Sequence, residues 1–322
     1  VLRTVLGTEV TRRTLLSAGA LGLTALCGAP ANAAARAASR FQLTSSPAAL
    51  MTGKALHDET VLQSFAFDNV NGHLYTVQVR NGSGSAAAGN LCVTKLSLTG
   101  AILGHMYLTG FGHGVQIGVE PSGTSAYLWT ETDGVADGTN SWGGKLARFK
   151  FVNGQTLTTA STALTKYAPV AGADSTTCAI DPSTNRLIMR YRLNGQRHFA
   201  AFPLSAVKAG GHPTPLYDIT QPAGLGTFQG YTAYGQYLYL LDGDAYSTGN
   251  PSPGNTYLTS VDLANGKVMQ RSFSQAWKSL TYREPEGMAI QLTAAAPRLC
   301  FGFATGAAGA RQAAIIYKNT LV

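Results

Sequence analysis

The sequence predicts an all-β protein, a five-bladed β-propeller of four-stranded antiparallel blades, and three observations carry that prediction. One pattern recurs five times: an alternating run with a small residue in its middle, an acidic or polar stop, a short turn, and a second run rich in Leu, Tyr and other apolar residues. The copies begin at Phe65, Ile117, Cys178, Tyr231 and Met288. Their spacings of 52, 61, 53 and 57 residues are long for a solenoid repeat and suit one propeller blade each. Composition agrees, since only 12% of the 322 residues are charged while Gly supplies 37 of them, as expected of short strands joined by many turns.

Taken in order, the chain opens on Thr11-Arg12-Arg13-Thr14-Leu15-Leu16, an uncharged apolar run to Leu26, and then Pro30-Ala31-Asn32-Ala33. That order reads as a twin-arginine export signal with a small-x-small cleavage site, so residues 1–33 are expected to be removed and the remainder secreted. The apolar run is too short to span a bilayer, and no membrane association is expected after cleavage. Residues 34–57 read as an Ala/Ser/Thr-rich linker in which Phe41-Gln42-Leu43 could supply a ring-closing strand; residues 313–317 are the other candidate. Closure matters because an open seam would leave unpaired strand edges.

Residues 58–322 then carry the propeller. After most hairpins a second strand pair follows, at 91–93 with 106–108, 146–149 with Leu157, 198–202, and 258–261 with 271–273. Gly/Ser-rich stretches at 81–90 and 247–255 are loops between the second and third strands of blades one and four. Helix should be minimal, with 204–208 the one segment allowed and 274–278 a second short turn. Cys27 leaves with the leader, and Cys92, Cys178 and Cys300 fall in three different copies within apolar strands. Buried free thiols are favoured over a bridge there, because cysteine is among the most buried residue types.

Removing the leader lowers the formal charge from +8 to +6, with 21 basic and 15 acidic residues left. No Lys/Arg run, recognition-helix pattern or zinc-finger spacing accompanies that charge, which excludes a nucleic-acid surface as partner. Positive charge spread over a rigid, monomeric surface favours anionic polymers such as uronate glycans or teichoic acids. No metal-ligand spacing, Ser/His/Asp order, G-x-S-x-G elbow or phosphate loop is present, so hydrolase and nucleotide readings are weak and no cofactor is expected. A structural Ca2+ held by loop carbonyls and an Asp is the one ion left open.

In a propeller the first strand of each blade runs nearest the axis, so residues just ahead of each copy converge on one channel mouth. Aligning the copies places Gln63, Thr176, Gln229 and Glu286 at equivalent positions. Val115 takes that place in blade two, flanked by Gln116 and preceded by Gly112-His113-Gly114. Small neighbours, as in Gln229-Gly230 and Glu286-Gly287, leave room for a ligand. The competing reading is that these side chains satisfy strand ends and channel water. His113 stands out because two glycines flank it. Tyr231 and Arg283 sit beside the same positions, His57-Asp58-Glu59 and Tyr282-Arg283-Glu284 stand just before inner strands and could border the same mouth, and Arg190-Tyr191-Arg192 could present a guanidinium fork to a carboxylate or phosphate.

Gln63-Ser64-Phe65-Ala66-Phe67-Asp68, Gly112-His113-Gly114, Phe228-Gln229-Gly230 and Arg283-Glu284-Pro285-Glu286-Gly287 together resemble the β-propeller family shared by phage receptor-binding proteins and teichoic-acid-biosynthesis-C-like secreted proteins, over about residues 58–320. The resemblance implies five blades and, in the phage members, recognition of a cell-wall glycopolymer. The chain differs from the phage proteins in carrying an export signal and in showing no stem or trimerisation segment.

A weaker similarity is to secreted propeller polysaccharide lyases that cleave rhamnose–glucuronate or ulvan-type linkages. It implies a base for the uronate C5 proton, a proton donor and a cation, roles that His113, Tyr191 or Tyr231, and Arg190 or Arg283 could fill. A His near its ordinary pKa suits the base. Two functions are therefore expected to compete: an exported propeller that binds an anionic cell-wall or extracellular glycan at its mouth through Gln63, Gln116, Gln229, Tyr231, Arg283 and Glu286, and a lyase that uses His113, Tyr191 and Arg190.

Overall fold

The computed structural model describes residues 39–322, so the export signal read at residues 1–33 lies outside the described residues. A strand β1 (Ala48–Ala55) comes first. Blade one follows as β2 (Leu62–Asp68), β3 (His73–Val79), β4 (Leu91–Ser97) and β5 (Ile102–Thr109). The next stretch holds β6 (Gly118–Ser122), β7 (Ser125–Asp137), β8 (Asn140–Lys150), β9 (Thr156–Thr158) and β10 (Thr165–Tyr167). Blade three is β11 (Asp174–Asp181), β12 (Arg186–Leu193), β13 (Gln196–Pro203) and β14 (Tyr217–Thr220), with the short α1 (Leu204–Lys208) before its last strand. Blade four is β15 (Phe228–Tyr234), β16 (Tyr237–Asp242), β17 (Tyr257–Asp262) and β18 (Val268–Phe273). The chain finishes with β19 (Glu284–Gln291), β20 (Arg298–Thr305) and β21 (Gln312–Lys318).

Five sheets result. The innermost strands β2, β6, β11, β15 and β19 contact one another in that order, and β19 returns to β2, which closes a ring about one axis. This is the five-bladed propeller that the repeat predicts. Apart from one parallel pairing, neighbouring strands within each blade run antiparallel. Among the described residues no helix is long and apolar enough to cross a membrane.

The polar stop of the repeat has a physical cause. Asp68 at the end of β2 accepts the turn N–H groups of Val70 and Asn71 at 3.2 and 3.0 Å, and Asp181 does the same for Ser183 at 2.9 Å. These Asx turns reverse the chain and leave the following run free to pair. That second run is apolar throughout because both of its faces are buried. In β16, Leu238 and Leu240 pack toward blade three while Tyr239 and Leu241 pack toward blade five. Five such clusters, one at each seam between blades, make up the core.

Three expectations need correction. The ring is closed by the N-terminal segment, but through β1, which adds the outermost strand to blade five by pairing with β21. Residues 41–43 contribute a single bridge, Phe41 with Leu321, plus buried apolar contacts. Residues 313–317 belong to β21, the third strand of that blade, and so form the edge onto which β1 adds. Leu157 does not complete blade two: β9 crosses to pair in parallel with β5 of blade one, and β10 takes the outer place beside β8. The 81–90 and 247–255 stretches are the loops expected, α1 spans the segment named for it, and 274–278 holds a turn closed by Lys278 N–H on the Gln275 carbonyl. Cys92, Cys178 and Cys300 are buried free thiols in three blades, and burial pushes each thiol's pKa up.

Candidate functional site

The mouth is built from interruptions in the inner strands. Pairing of β2 with β3 skips Gln63, pairing of β15 with β16 skips Gln229, and pairing of β19 with β20 skips Glu286 and Gly287. In β11 the skipped residues are Ser175 and Thr176. A bulge of this kind leaves one residue out of the ladder and re-aims its side chain. Gln63, Gln229 and Glu286, with His113 and Val115 of blade two, thereby line one cavity of about 350 Å3. Thr176 does not reach it; its hydroxyl is buried on the Gly143 carbonyl at 3.2 Å.

Several of these groups are held without partners. Glu286 and Gln63 are 4% and 8% exposed, and among the described residues neither side chain makes a hydrogen bond. His113 Nδ1 is buried and unpaired as well. Buried polar atoms normally find partners, so the Gln63 and Glu286 side chains, which line the cavity and make no hydrogen bond within the protein, are free to meet a ligand there. Gln229 is partly satisfied, donating to the Gly243 carbonyl at 3.0 Å. Trp142, Phe228 and Val61 give the cavity apolar walls, and the His113 ring tilts against the indole of Trp142 with centroids 5.1 Å apart.

One residue that sequence reasoning missed holds this loop in place. Glu131 of β7 is fully buried and accepts the N–H groups of His113 and Gly114 on Oε1 at 3.0 and 2.6 Å, and that of Gly143 on Oε2 at 2.6 Å. The carboxylate replaces the ladder that residues 112–115 lack. Its closeness also explains two glycines: a Cβ at Gly112 would lie 2.3 Å from the Glu131 carboxyl, and one at Gly143 would lie 2.4 Å from the Glu131 Cβ. Trp142 was missed too, whereas Glu284, expected to border the mouth, does line the cavity. The Trp142-Gly143-Gly144 triplet was the available signal, but nothing local places the β7–β8 hairpin over the axis.

Ionisation in the mouth follows burial. Desolvation lowers His113 to about 4, leaving it neutral at ordinary pH. Glu286 is pushed well above the usual carboxylate range by burial and by the neighbouring Glu284, itself raised by burial although Tyr282 donates to it at 2.7 Å. Burial raises Glu131 to about 7 against the pull of its N–H donors. No Lys or Arg lines the cavity. The chain's positive charge is elsewhere, and the mouth offers an anion no counter-charge.

The remaining candidates do not join this site. Gln116 is buried and spent: its Nε2 donates to the Met288 and Ile117 carbonyls at 3.1 and 3.2 Å while its Oε1 accepts the Tyr231 N–H at 3.2 Å, a strut across the channel below the mouth. Tyr231 is fully buried between blades three and four, its hydroxyl on the Ile188 carbonyl. Arg283 is 0% exposed and donates to the carbonyls of Pro253, Ser274 and Ala276 and to Thr256 Oγ1, which makes it a bolt between loops of blades four and five. Tyr191 is buried at the other seam of blade three and donates to Asp218 at 2.8 Å. Arg190 lies over the Phe228 ring at 3.8 Å and donates to Gln221, and burial lowers it to about 9. Base, donor and cation of the lyase reading are thus not assembled around one point. His57 stacks on His105 and meets Tyr107 on the outer side of blade one, away from the mouth. Among the described residues no group of three or more His, Cys, Asp and Glu side chains could hold a metal ion.

Comparison with known proteins agrees with this architecture. A protein of Bacillus subtilis (strain 168) named for major teichoic acid biosynthesis, protein C, is 30% identical over 282 residues, which is 84% of this chain and 62% of that protein. The tail fiber of Staphylococcus aureus phage P68 superposes with a TM-score of 0.69 at 20% identity, covering 85% of this chain and 53% of the fiber. An exo-β-1,3-galactanase of Clostridium thermocellum shares the fold at a TM-score of 0.50 and 9% identity, covering 85% and 64%. The chain therefore spans little more than half the length of the relatives it matches. Residues 61–317 match the phage five-bladed β-propeller receptor-binding platform domain, and the chain belongs to that family.

Proposed function

We propose that this chain is exported and binds a carbohydrate of a cell surface or cell wall at its channel mouth, one sugar ring resting against Trp142 with its hydroxyls on Gln63, Gln229 and Glu286. The observation that carries the reading is that Gln63 and Glu286, largely buried and without a hydrogen bond inside the protein, line one aromatic-walled cavity. Sugar rings combine an apolar face with a hydroxyl rim, and a site of few polar groups on apolar walls matches both. Membership of a phage receptor-binding family and a relative named for teichoic acid biosynthesis support a surface glycan as ligand. The ring in the mouth is uncharged, because the cavity supplies carboxyls and a neutral imidazole but no cation. Anionic groups of the polymer, where present, lie outside it. Binding is favoured over β-elimination because Tyr191 and Arg190 are committed elsewhere.

An array of bacterial wall and surface glycans, read with wild type and Trp142→Ala, tests this. Wild type should retain a subset of glycans and the variant should lose at least about tenfold in affinity, the cost of one aromatic contact at a buried site. A wild-type array without signal, or full retention by Trp142→Ala, sinks the proposal. Export is tested separately: Arg12→Lys with Arg13→Lys should keep the protein in the cytoplasm if the twin-arginine reading holds.

A further inference from the structure

A second cavity adjoins the mouth. It has a volume of about 470 Å3 and lies between the β7–β8 hairpin and blade three, where Ala136 and Asp137 face Asp174 and Arg192. Trp142 lines both cavities. The hairpin explains how. Strands β7 and β8 are the longest in the chain, at 13 and 11 residues, and their pairing continues past Glu131 to Asp137 with Asn140. Trp142 stands opposite Val135 on that extension, so the hairpin carries the indole out between the axis and blade three.

The chemistry of the second cavity suits hydroxyls. Arg192 donates to Asp174 through Nε at 2.7 Å and through Nη2 at 3.2 Å, and the pair is exposed, with side chains 41% and 54% accessible. An exposed ion pair contributes little to stability. Its outer N–H groups and carboxylate lone pairs, with Asp137 lining the same cavity, supply donors and acceptors beside an aromatic wall. That combination receives adjacent hydroxyls of a sugar ring.

We propose that the two cavities are successive subsites for one glycan chain, the mouth holding one residue and the groove along blade three holding its neighbour, with Trp142 in contact with both. The inference rests on the mouth reading above and deepens it: the ligand is an oligosaccharide or polymer whose recognised unit is at least two rings, not an isolated sugar or a chain end alone. Each cavity lies toward the small end of ligand pockets, which fits one ring better than a chain apiece.

Calorimetry with two ladders tests it: N-acetylglucosamine with its β-1,4-linked disaccharide and tetrasaccharide, and glucose with maltose and maltotetraose. In whichever series binds, the disaccharide should bind at least about tenfold more tightly than the monosaccharide, with little further gain to the tetrasaccharide. Ala136→Trp fills the groove at an exposed position and should bring the oligomers down to the monosaccharide affinity, and Arg192→Ala should cost the oligomers about three- to tenfold without changing the monosaccharide. Equal affinity across the ladder, or an Ala136→Trp protein that binds the tetrasaccharide as wild type does, overturns the second subsite and leaves the mouth reading standing. If Gln63→Ala and Trp142→Ala both leave every affinity unchanged, or wild type binds neither series, the mouth reading fails and the second subsite fails with it.

Discussion

Glu131 decides more of the mouth than any residue the repeat pattern exposes. Three backbone N–H groups, two from the loop at 113–114 and one from Gly143 of β8, end on its carboxyl, so Glu131→Ala would strand them in a buried place. A loss of about 3–5 kcal/mol is expected, read as a lower midpoint in urea unfolding with an unchanged slope. His113 gives a second test at this scale. Burial keeps it neutral down to about pH 4, whereas the unfolded chain protonates it near 6.5. Its contribution is therefore present above about 6.5 and is lost as pH falls through 4. Glu131, raised from 4.5 to about 7, has the opposite sign, its contribution being present at low pH and lost as pH rises through 7. Glu284 and Glu286, raised as well, share the sign of Glu131, so the wild-type slope alone does not isolate the imidazole. Relative to His113→Gln, wild type should lose up to about 3 kcal/mol between pH 7 and pH 4, measured by urea unfolding at each pH. A gap that does not change with pH would mean the imidazole is solvated.

At the scale of elements, the bulges and the borrowed strand do the work. An inner strand paired without interruption would send Gln63, Gln229 and Glu286 along the pleat instead of to the axis. Strand β1 is joined to blade five only through β21, and it shares the seam between blades five and one through Met51. A protein beginning at Leu56 should expose the β21 edge, unfold at a markedly lower temperature and aggregate, which thermal circular dichroism and light scattering would show. Retention of the wild-type midpoint would mean that β1 is dispensable. Arg283 acts between elements rather than on a ligand. Arg283→Lys cannot reproduce a fork that serves four acceptors, so a loss of about 2–4 kcal/mol is expected with glycan affinity unchanged in the fraction that stays folded.

Across the whole molecule, net charge and site charge part company. The sequence is basic, yet the mouth collects Glu284 and Glu286 and leaves the cations outside. Salt should therefore affect the mouth little: affinity for a neutral oligosaccharide is expected to change less than about twofold between 50 mM and 500 mM NaCl, since no ion pair with the ligand is screened. A steep salt slope would place the recognised group on Arg192 or the outer surface instead.

The five copies, their spacing and the Asx stops settle the blade number and the inner hairpin of each blade, because hairpins are local and each strand's pattern reports two buried faces, whereas the outermost strands of blades two and five come from elsewhere. The alignment of entry residues was also legible, and four of its positions, Gln63, Val115, Gln229 and Glu286, meet in one cavity. Which neighbours join them was not. Tyr231 and Arg283 stand beside those positions in sequence and point into seams, while Trp142 reaches the mouth on a long hairpin. Alternation along a strand says which residues share a face; only closure of the ring decides which of those faces meets the axis, because that depends on packing between blades distant in sequence.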